Sequence, residues 1–259
     1  MFNLKPFLLV CACTLMAQAP MPPLRPGEAL ALASGDKETF FFGDVETESP
    51  MGTLAYLPWL RLEGDNWSRR RLQFKCTGVL NGEACSQASG HGKVNLPQAI
   101  EKGCDLAMLY WIRMTALDWH KEEGDGVARV RLEETFGPFL GSRMPIGQNL
   151  PPMDGTWLGA GNLLRTSPAQ MLAWLTDPNQ EQLLRNIRRL MMNELKETYM
   201  TGAWWVLGAT SEVALEPGVY SSWAVGSNGS GAAVLHLPPG KTRAEALTRF
   251  QEIMIGPTR

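Results

Sequence analysis

Charge of either sign is not in excess in this chain: 24 Lys and Arg stand against 26 Asp and Glu, a formal net charge of −2. That balance removes the electrostatic ground for binding nucleic acid or an anionic membrane surface, and the isolated run Arg69-Arg70-Arg71 is too short to change it. Histidine is scarce. His91, His120 and His236 are the 3 in the chain, and spacing alone brings none of them beside a cysteine. One histidine with scattered carboxylates, as in His120–Gly126, reads as a solvated polar turn and not as a metal site, so the sequence implies no metal and no cofactor. A phosphate loop is excluded at Gly240-Lys241-Thr242, because the glycine required five positions earlier is Leu235. Internal repeats and long linkers are absent. So is any apolar run beyond the N-terminus long enough to span a bilayer.

The N-terminus has the pattern of an export signal. Lys5 supplies positive charge, Phe7–Met16 is a short apolar run, and Ala17-Gln18-Ala19 fits a small-x-small cleavage site. Residues 1–19 therefore read as a signal peptide, and the mature protein as extracytoplasmic, periplasmic or secreted. Lipidation at Cys13 is the alternative, although Val10-Cys11-Ala12 makes a poor approach to it. Residues 20–36 read as a Pro-rich lead-in and 37–259 as one domain, a length that buries a single large core. Cleavage leaves three of the 5 cysteines, Cys76, Cys85 and Cys104. Cys76 and Cys85 flank a turn with Gly78 and Gly82 and are expected to pair as a disulfide in an oxidising compartment. Cys104 lies in an apolar helical pattern and reads as a buried free thiol.

Glu38–Val45, aromatic and β-branched, predicts a strand. Thr53–Glu63 predicts a buried helix with Pro58 in its first turns. Asn95 caps a helix with Pro97 near its start, and the apolar pattern runs to about Trp119. Ser167-Pro168 opens another helix, and residues 180–197 have helical apolar spacing. Beyond Trp204 the pattern turns to strands: Val219–Val225 and Ala232–Leu237 flank a Gly-, Asn- and Ser-rich turn, a hairpin signal. Thr242-Arg243-Ala244-Glu245 is a capping box opening a last helix to about Ile255. Strand, helical middle, hairpin and terminal helix imply a mixed α/β domain whose sheet draws on both ends of the chain.

Gly90-His91-Gly92-Lys93-Val94-Asn95 followed by Leu96–Asp105 resembles the segment of penicillin-binding transpeptidases and class D β-lactamases that runs from a Gly-His-Gly turn through a helix to a Ser-x-Asn motif. Here that motif reads Gly103-Cys104-Asp105. Pro50-Met51-Gly52-Thr53-Leu54-Ala55-Tyr56-Leu57-Pro58 resembles the Ser-x-x-Lys stretch, with Thr53 in the nucleophile's place and Tyr56 in the base's place. A register shifted by one puts Gly52 and Ala55 there instead. Trp223-Ala224-Val225-Gly226 resembles the strand that follows the Lys-Thr-Gly motif, and counting back places Ala209, Thr210 and Ser211 on that motif. Thr156-Trp157-Leu158 with Leu163–Gln170 resembles the Trp-Leu…Ser-Pro-x-Gln segment of class D enzymes, where a tryptophan steadies a modified lysine; core packing is the other reading of Trp157.

The resemblance implies a central, mostly antiparallel sheet flanked by helices, with a helical subdomain inserted. It also implies a cleft shared by Thr53, Asp105 and Thr210, with Trp157 near it. The hydroxyl–amine pair that makes a serine nucleophilic is incomplete, since a phenol with an ordinary pKa near 10 is a poor base at neutral pH. Gly103 cannot relay protons, and Ala209 cannot hold a carboxylate. The expected function is that of a secreted, catalytically inactive relative that binds peptidoglycan peptide or an envelope protein. The alternatives are altered acyl transfer through Thr53 and a purely structural envelope role.

Overall fold

The computed structural model describes residues 23–35, 38–63, 73–143, 151–180, 185, 200–201, 204–212 and 219–254. The expected signal peptide over residues 1–19, the Arg69–Arg71 run and nearly all of the helix expected over 180–197 lie outside the described residues. Within them no helix is long and apolar enough to cross a membrane.

Among the described residues, six antiparallel strands form the central sheet, in the order β2 (Thr39–Phe42), β1 (Ala29–Ala33), β12 (Ala232–Leu237), β11 (Tyr220–Ser227), β10 (Trp204–Glu212) and β9 (Met200–Thr201). β10, β11 and β12 are consecutive hairpins in which Ala209 faces Trp223 and Trp223 faces His236. The hairpin expected from the pattern after Trp204 is therefore present, with Asn228 Oδ1 accepting the backbone N–H groups of Ser230 and Gly231 in its turn. Two-residue periodicity divides the strand side chains between two cores. Leu30, Val206, Ala224 and Leu235 meet Phe250 and Ile253 of the last helix, α5 (Arg243–Met254). Ala31, Leu207, Ala209, Trp223 and Val234 meet the helical half of the molecule.

β1 corrects the domain boundary. It lies inside the segment read as a Pro-rich lead-in and pairs with β12 and β2. Buried on both faces, Ala29-Leu30-Ala31-Leu32-Ala33 carries no polar alternation to announce a strand. β2 is the expected strand at Thr39–Phe42, an edge whose side chains are all exposed.

The helical half holds α1 (Tyr56–Glu63), α2 (Leu96–Lys102), α3 (Asp105–Leu140) and α4 (Pro168–Thr176). The single helix expected from Asn95 to about Trp119 is instead two. Asn95 does cap α2 in a reciprocal box with Gln98, but the chain breaks at Gly103, whose φ of 62° and ψ of 44° are left-handed, and restarts with Cys104 as the N-cap of α3. The polar turn expected at His120–Gly126 is part of α3, interrupted only at Gly124; His120 Nδ1 there pairs with Asp125 at 2.5 Å. α4 has its expected Ser167 cap, the hydroxyl accepting the Gln170 N–H at 3.1 Å. β3 (Ser49–Pro50) pairs with β8 (Arg165–Thr166), and between α1 and α2 lies a small module. β4 (Phe74–Cys76) pairs with β7 (Gly92–Val94), and the short hairpin β5 (Val79–Leu80)–β6 (Glu83–Ala84) is nested between them.

Indole N–H groups tie the parts together. Trp223 donates to the Pro50 carbonyl at 3.2 Å, just ahead of the 3-10 turn Gly52–Ala55, and that turn packs on β10. Trp59 donates to the Trp157 carbonyl at 2.8 Å.

Candidate functional site: a cleft beside a cysteine–histidine cluster

Thr53 sits half-buried on the 3-10 turn Gly52–Ala55, and Tyr56 opens α1 directly after it. Tyr56 is buried, and its hydroxyl donates to Asp105 Oδ1 at 2.5 Å, across 49 residues of sequence. Burial is the largest influence on both groups. It raises the phenol well above its usual range, with the neighbouring carboxylate adding to the effect. It also raises the Asp105 carboxyl, against the opposing pull of the Tyr56 hydrogen bond and of the His91 and Arg243 charges. The phenol is thus a proton donor held in place by its acceptor, with no capacity to take a proton from Thr53.

Gly103 is the glycine at the left-handed break, so a serine at this position would meet a backbone cost of roughly 1–2 kcal/mol. A Cβ there would lie 3.5 Å from Arg243 Nη1. Arg243, the first residue of α5, lies against Gly208, where a Cβ would come within 2.9 Å of the arginine Cγ. The guanidinium therefore reaches from the far face of the sheet to the Gly103–Asp105 turn, and its charge lowers the pKa of both Tyr56 and Asp105. Alternation along β10 turns Ala209 into the core, fully buried. It turns Thr210 the other way, into an open cavity of about 420 Å³ lined also by Tyr220, Gly240, Lys241, Thr242 and Arg243. Ser211 lies in β10 opposite Ser221.

Among the residues singled out from sequence, Tyr56 and Asp105 are thus joined directly, and Gly103 and Thr210 both adjoin Arg243. Thr53 leads into Tyr56. Trp157 is 1% exposed with its ring edge-on to Phe136, a core residue of the helical half. Arg243 was legible only as the first residue after a helix cap, and nothing in local spacing places its guanidinium by Gly103. The cavity beside Thr210 therefore carries the side chains of Lys241 and Arg243, although Ala209 contributes no cation.

The expected Cys76–Cys85 disulfide is not formed; Cys76, Cys85 and Cys104 are all buried free thiols. They converge with His91, the four donor atoms lying within 4.8 Å of one another. His91 Nδ1 is 3.2 Å from Cys85 Sγ and 3.9 Å from Cys76 Sγ, and Cys85 Sγ is 4.0 Å from Cys104 Sγ. A tetrahedral Zn²⁺ with the usual bond lengths has S···S edges of about 3.8 Å and S···N edges of about 3.5 Å. Three thiols and one imidazole at these separations fit that ion with little movement. Burial opposes charge on Cys76, but N–H groups from the His91 and Gly78 backbone and the His91 ring outweigh it and bring the thiol down to about 6. Burial dominates at Cys104 and pushes its thiol up. Sequence reading missed this cluster because the spacing has no close Cys-x-x-Cys pair. The available signal was that three of the 5 cysteines and one of the 3 histidines fall between residues 76 and 104.

No protein-family profile and no curated protein sequence matches the chain. Solved structures do. PBP2 of Pseudomonas aeruginosa, in complex with WCK 5153, superposes with a TM-score of 0.54 at 13% identity over 86% of this chain and 72% of that one. A class D β-lactamase from Sebaldella termitidis gives 0.55 at 13% identity over 89% and 92%, and the class D enzyme YbXI from Nostoc gives 0.55 at 11% over 88% and 92%. The architecture is that of penicillin-binding transpeptidases and class D β-lactamases; identities this low carry the fold alone.

Proposed function

We propose that this is an exported, zinc-braced binding protein of the penicillin-binding fold that holds a carboxylate-bearing peptide, of peptidoglycan or of an envelope partner, without acylating. The observation that carries the reading is the Tyr56–Asp105 hydrogen bond. If Tyr56 and Asp105 occupy the places of the catalytic lysine and the asparagine, the amine that should deprotonate a nucleophile is replaced by a buried donor. Thr53 is then a hydroxyl to which Tyr56 offers no base, and uncatalysed attack by a threonine is slower by orders of magnitude. Arg243, beside Gly103 and along the cavity wall with Lys241, supplies a cation, and Thr210 and Thr242 supply hydroxyls, suited to a carboxylate. Zn²⁺ held by Cys76, Cys85, His91 and Cys104 would brace the turn that carries Asp105 without entering the chemistry.

The test has two arms. Intact-mass spectrometry after incubation with a fluorescent penicillin is expected to show unmodified protein; a stoichiometric adduct would make the protein an acyl-transfer enzyme using Thr53. A short peptide with a free C-terminal carboxylate should bind, its amidated form should not, and Arg243→Gln should weaken binding about tenfold, the worth of one charge-assisted hydrogen bond. Equal binding of both peptides would remove the carboxylate from the reading, and binding of neither would leave the structural envelope role as the better account.

A further inference from the structure

Three of the four cluster donors are thiols, and thiolate sulfur is the zinc ligand that two-electron oxidants attack. We propose that the cluster is a peroxide-sensitive switch: oxidation joins Cys85 to Cys104 in a disulfide, releases the metal and shifts the turn that sets Asp105 against Tyr56. The proposal rests on the zinc reading of these four residues.

Distance, exposure and backbone setting together favour this pair. Cys85 Sγ and Cys104 Sγ are 4.0 Å apart, so a bond needs an approach of about 2 Å. The two segments are already tied, because the Ser86 hydroxyl donates to the Gly103 carbonyl at 3.2 Å. Cys85 lies just beyond β6, in neither helix nor strand, and is the most exposed of the three thiols at 8% against 2% for Cys76 and 0% for Cys104. Cys76, by contrast, is in β4, paired in register with Gly92.

The steps balance. The Cys85 thiolate attacks one oxygen of the peroxide, the O–O bond breaks, and the departing oxygen takes a proton and leaves as water, giving a sulfenic acid. The Cys104 thiolate then attacks the Cys85 sulfur; an S–S bond forms, the S–O bond breaks, and the second oxygen leaves as water with another proton. Two thiolates have lost two electrons and one hydrogen peroxide has gained them. Zn²⁺ is left with Cys76 and His91, too few protein ligands for a closed structural site, and departs. Cys104 is the N-cap of α3, its carbonyl accepting the N–H groups of Ala107 and Met108 at 3.1 and 3.2 Å. Drawing its sulfur toward Cys85 therefore turns the first residue of α3, which is Asp105.

The experiment uses the full chain loaded with one equivalent of zinc chloride and freed of excess metal. Elemental analysis should find one zinc per chain; none bound would overturn the zinc reading itself. Hydrogen peroxide should then release that zinc to a chromogenic chelator in step with the appearance of a Cys85–Cys104 peptide in non-reducing mapping, and dithiothreitol with zinc should reverse both changes. Cys76→Ser should still form the link and Cys104→Ser should not. Zinc that stays bound under peroxide, or that leaves with a Cys76–Cys85 link or with sulfinic acids alone, would overturn the switch while leaving the metal site intact.

Discussion

At the scale of single residues, Tyr56 and Asp105 balance one another's burial. Each is costly to bury alone, and each supplies what the other needs: the carboxylate accepts, the phenol donates, and one short bond of 2.5 Å satisfies both. Removing only the hydroxyl leaves the carboxyl buried with its principal donor gone. Tyr56→Phe should therefore destabilise the protein by about 1–3 kcal/mol, although it adds no cavity and increases apolar character. Urea denaturation checks this, and the loss should shrink in the double variant Tyr56→Phe/Asp105→Leu, where no unpaired polar group remains. A tyrosine that merely filled the lysine's volume would give a single variant close to the native stability.

Elements were legible in proportion to how local their signals are. The caps at Asn95, Ser167 and Thr242 were read from three or four neighbouring residues, and each forms the bonds expected of it. The break at Gly103 was hidden because apolar spacing continues across it, and β1 was hidden because prolines precede it and both its faces are buried. What fixes β1 is equally non-local. Arg249 of α5 donates through Nε and Nη2 to the Glu28 carboxylate at 3.0–3.1 Å and through Nη2 to the Pro23 carbonyl at 2.7 Å. Both side chains are almost fully buried, at 5% and 3% exposure. Arg249→Ala would strand a buried carboxylate and should cost about 3–5 kcal/mol, whereas Glu28→Leu/Arg249→Met, which removes both charges and keeps the volume, should recover most of that loss. Thermal unfolding of the two variants checks the pair. The site follows the same rule as the elements: Tyr56 and Asp105 were found from two local motifs, while Arg243 and the convergence of His91 on three cysteines needed the fold.

For the whole molecule, pH acts most visibly through a histidine with no role in the cleft. His236 lies in the middle of the sheet, on β12, its ring 4.1 Å from that of Trp223. Nε2 is buried, with no hydrogen-bond partner among the described residues. Burial holds the imidazole down at about 4 from an ordinary value of 6.5, with the Asp44 carboxylate pulling weakly the other way. The folded state thus keeps this ring neutral over a range in which the unfolded chain takes up a proton. The stability it contributes is complete above about pH 6.5 and is lost as pH falls toward 4, at up to 1.4 kcal/mol per unit and about 3 kcal/mol in all. Asp105, whose carboxyl is raised by burial, works in the opposite direction, since its protonation on acidification relieves a buried charge. A pH–stability curve of the native protein alone would mix the two, and comparison with His236→Gln separates them. The variant should be less stable than the native protein at pH 7, because an amide packs less well against Trp223. Its stability should then fall less steeply between pH 6.5 and 4, so that the two curves converge or cross. Parallel curves from guanidinium denaturation across that interval would show that His236 is protonated at its ordinary pKa in the folded protein, and that the sheet centre is wetter than its packing implies.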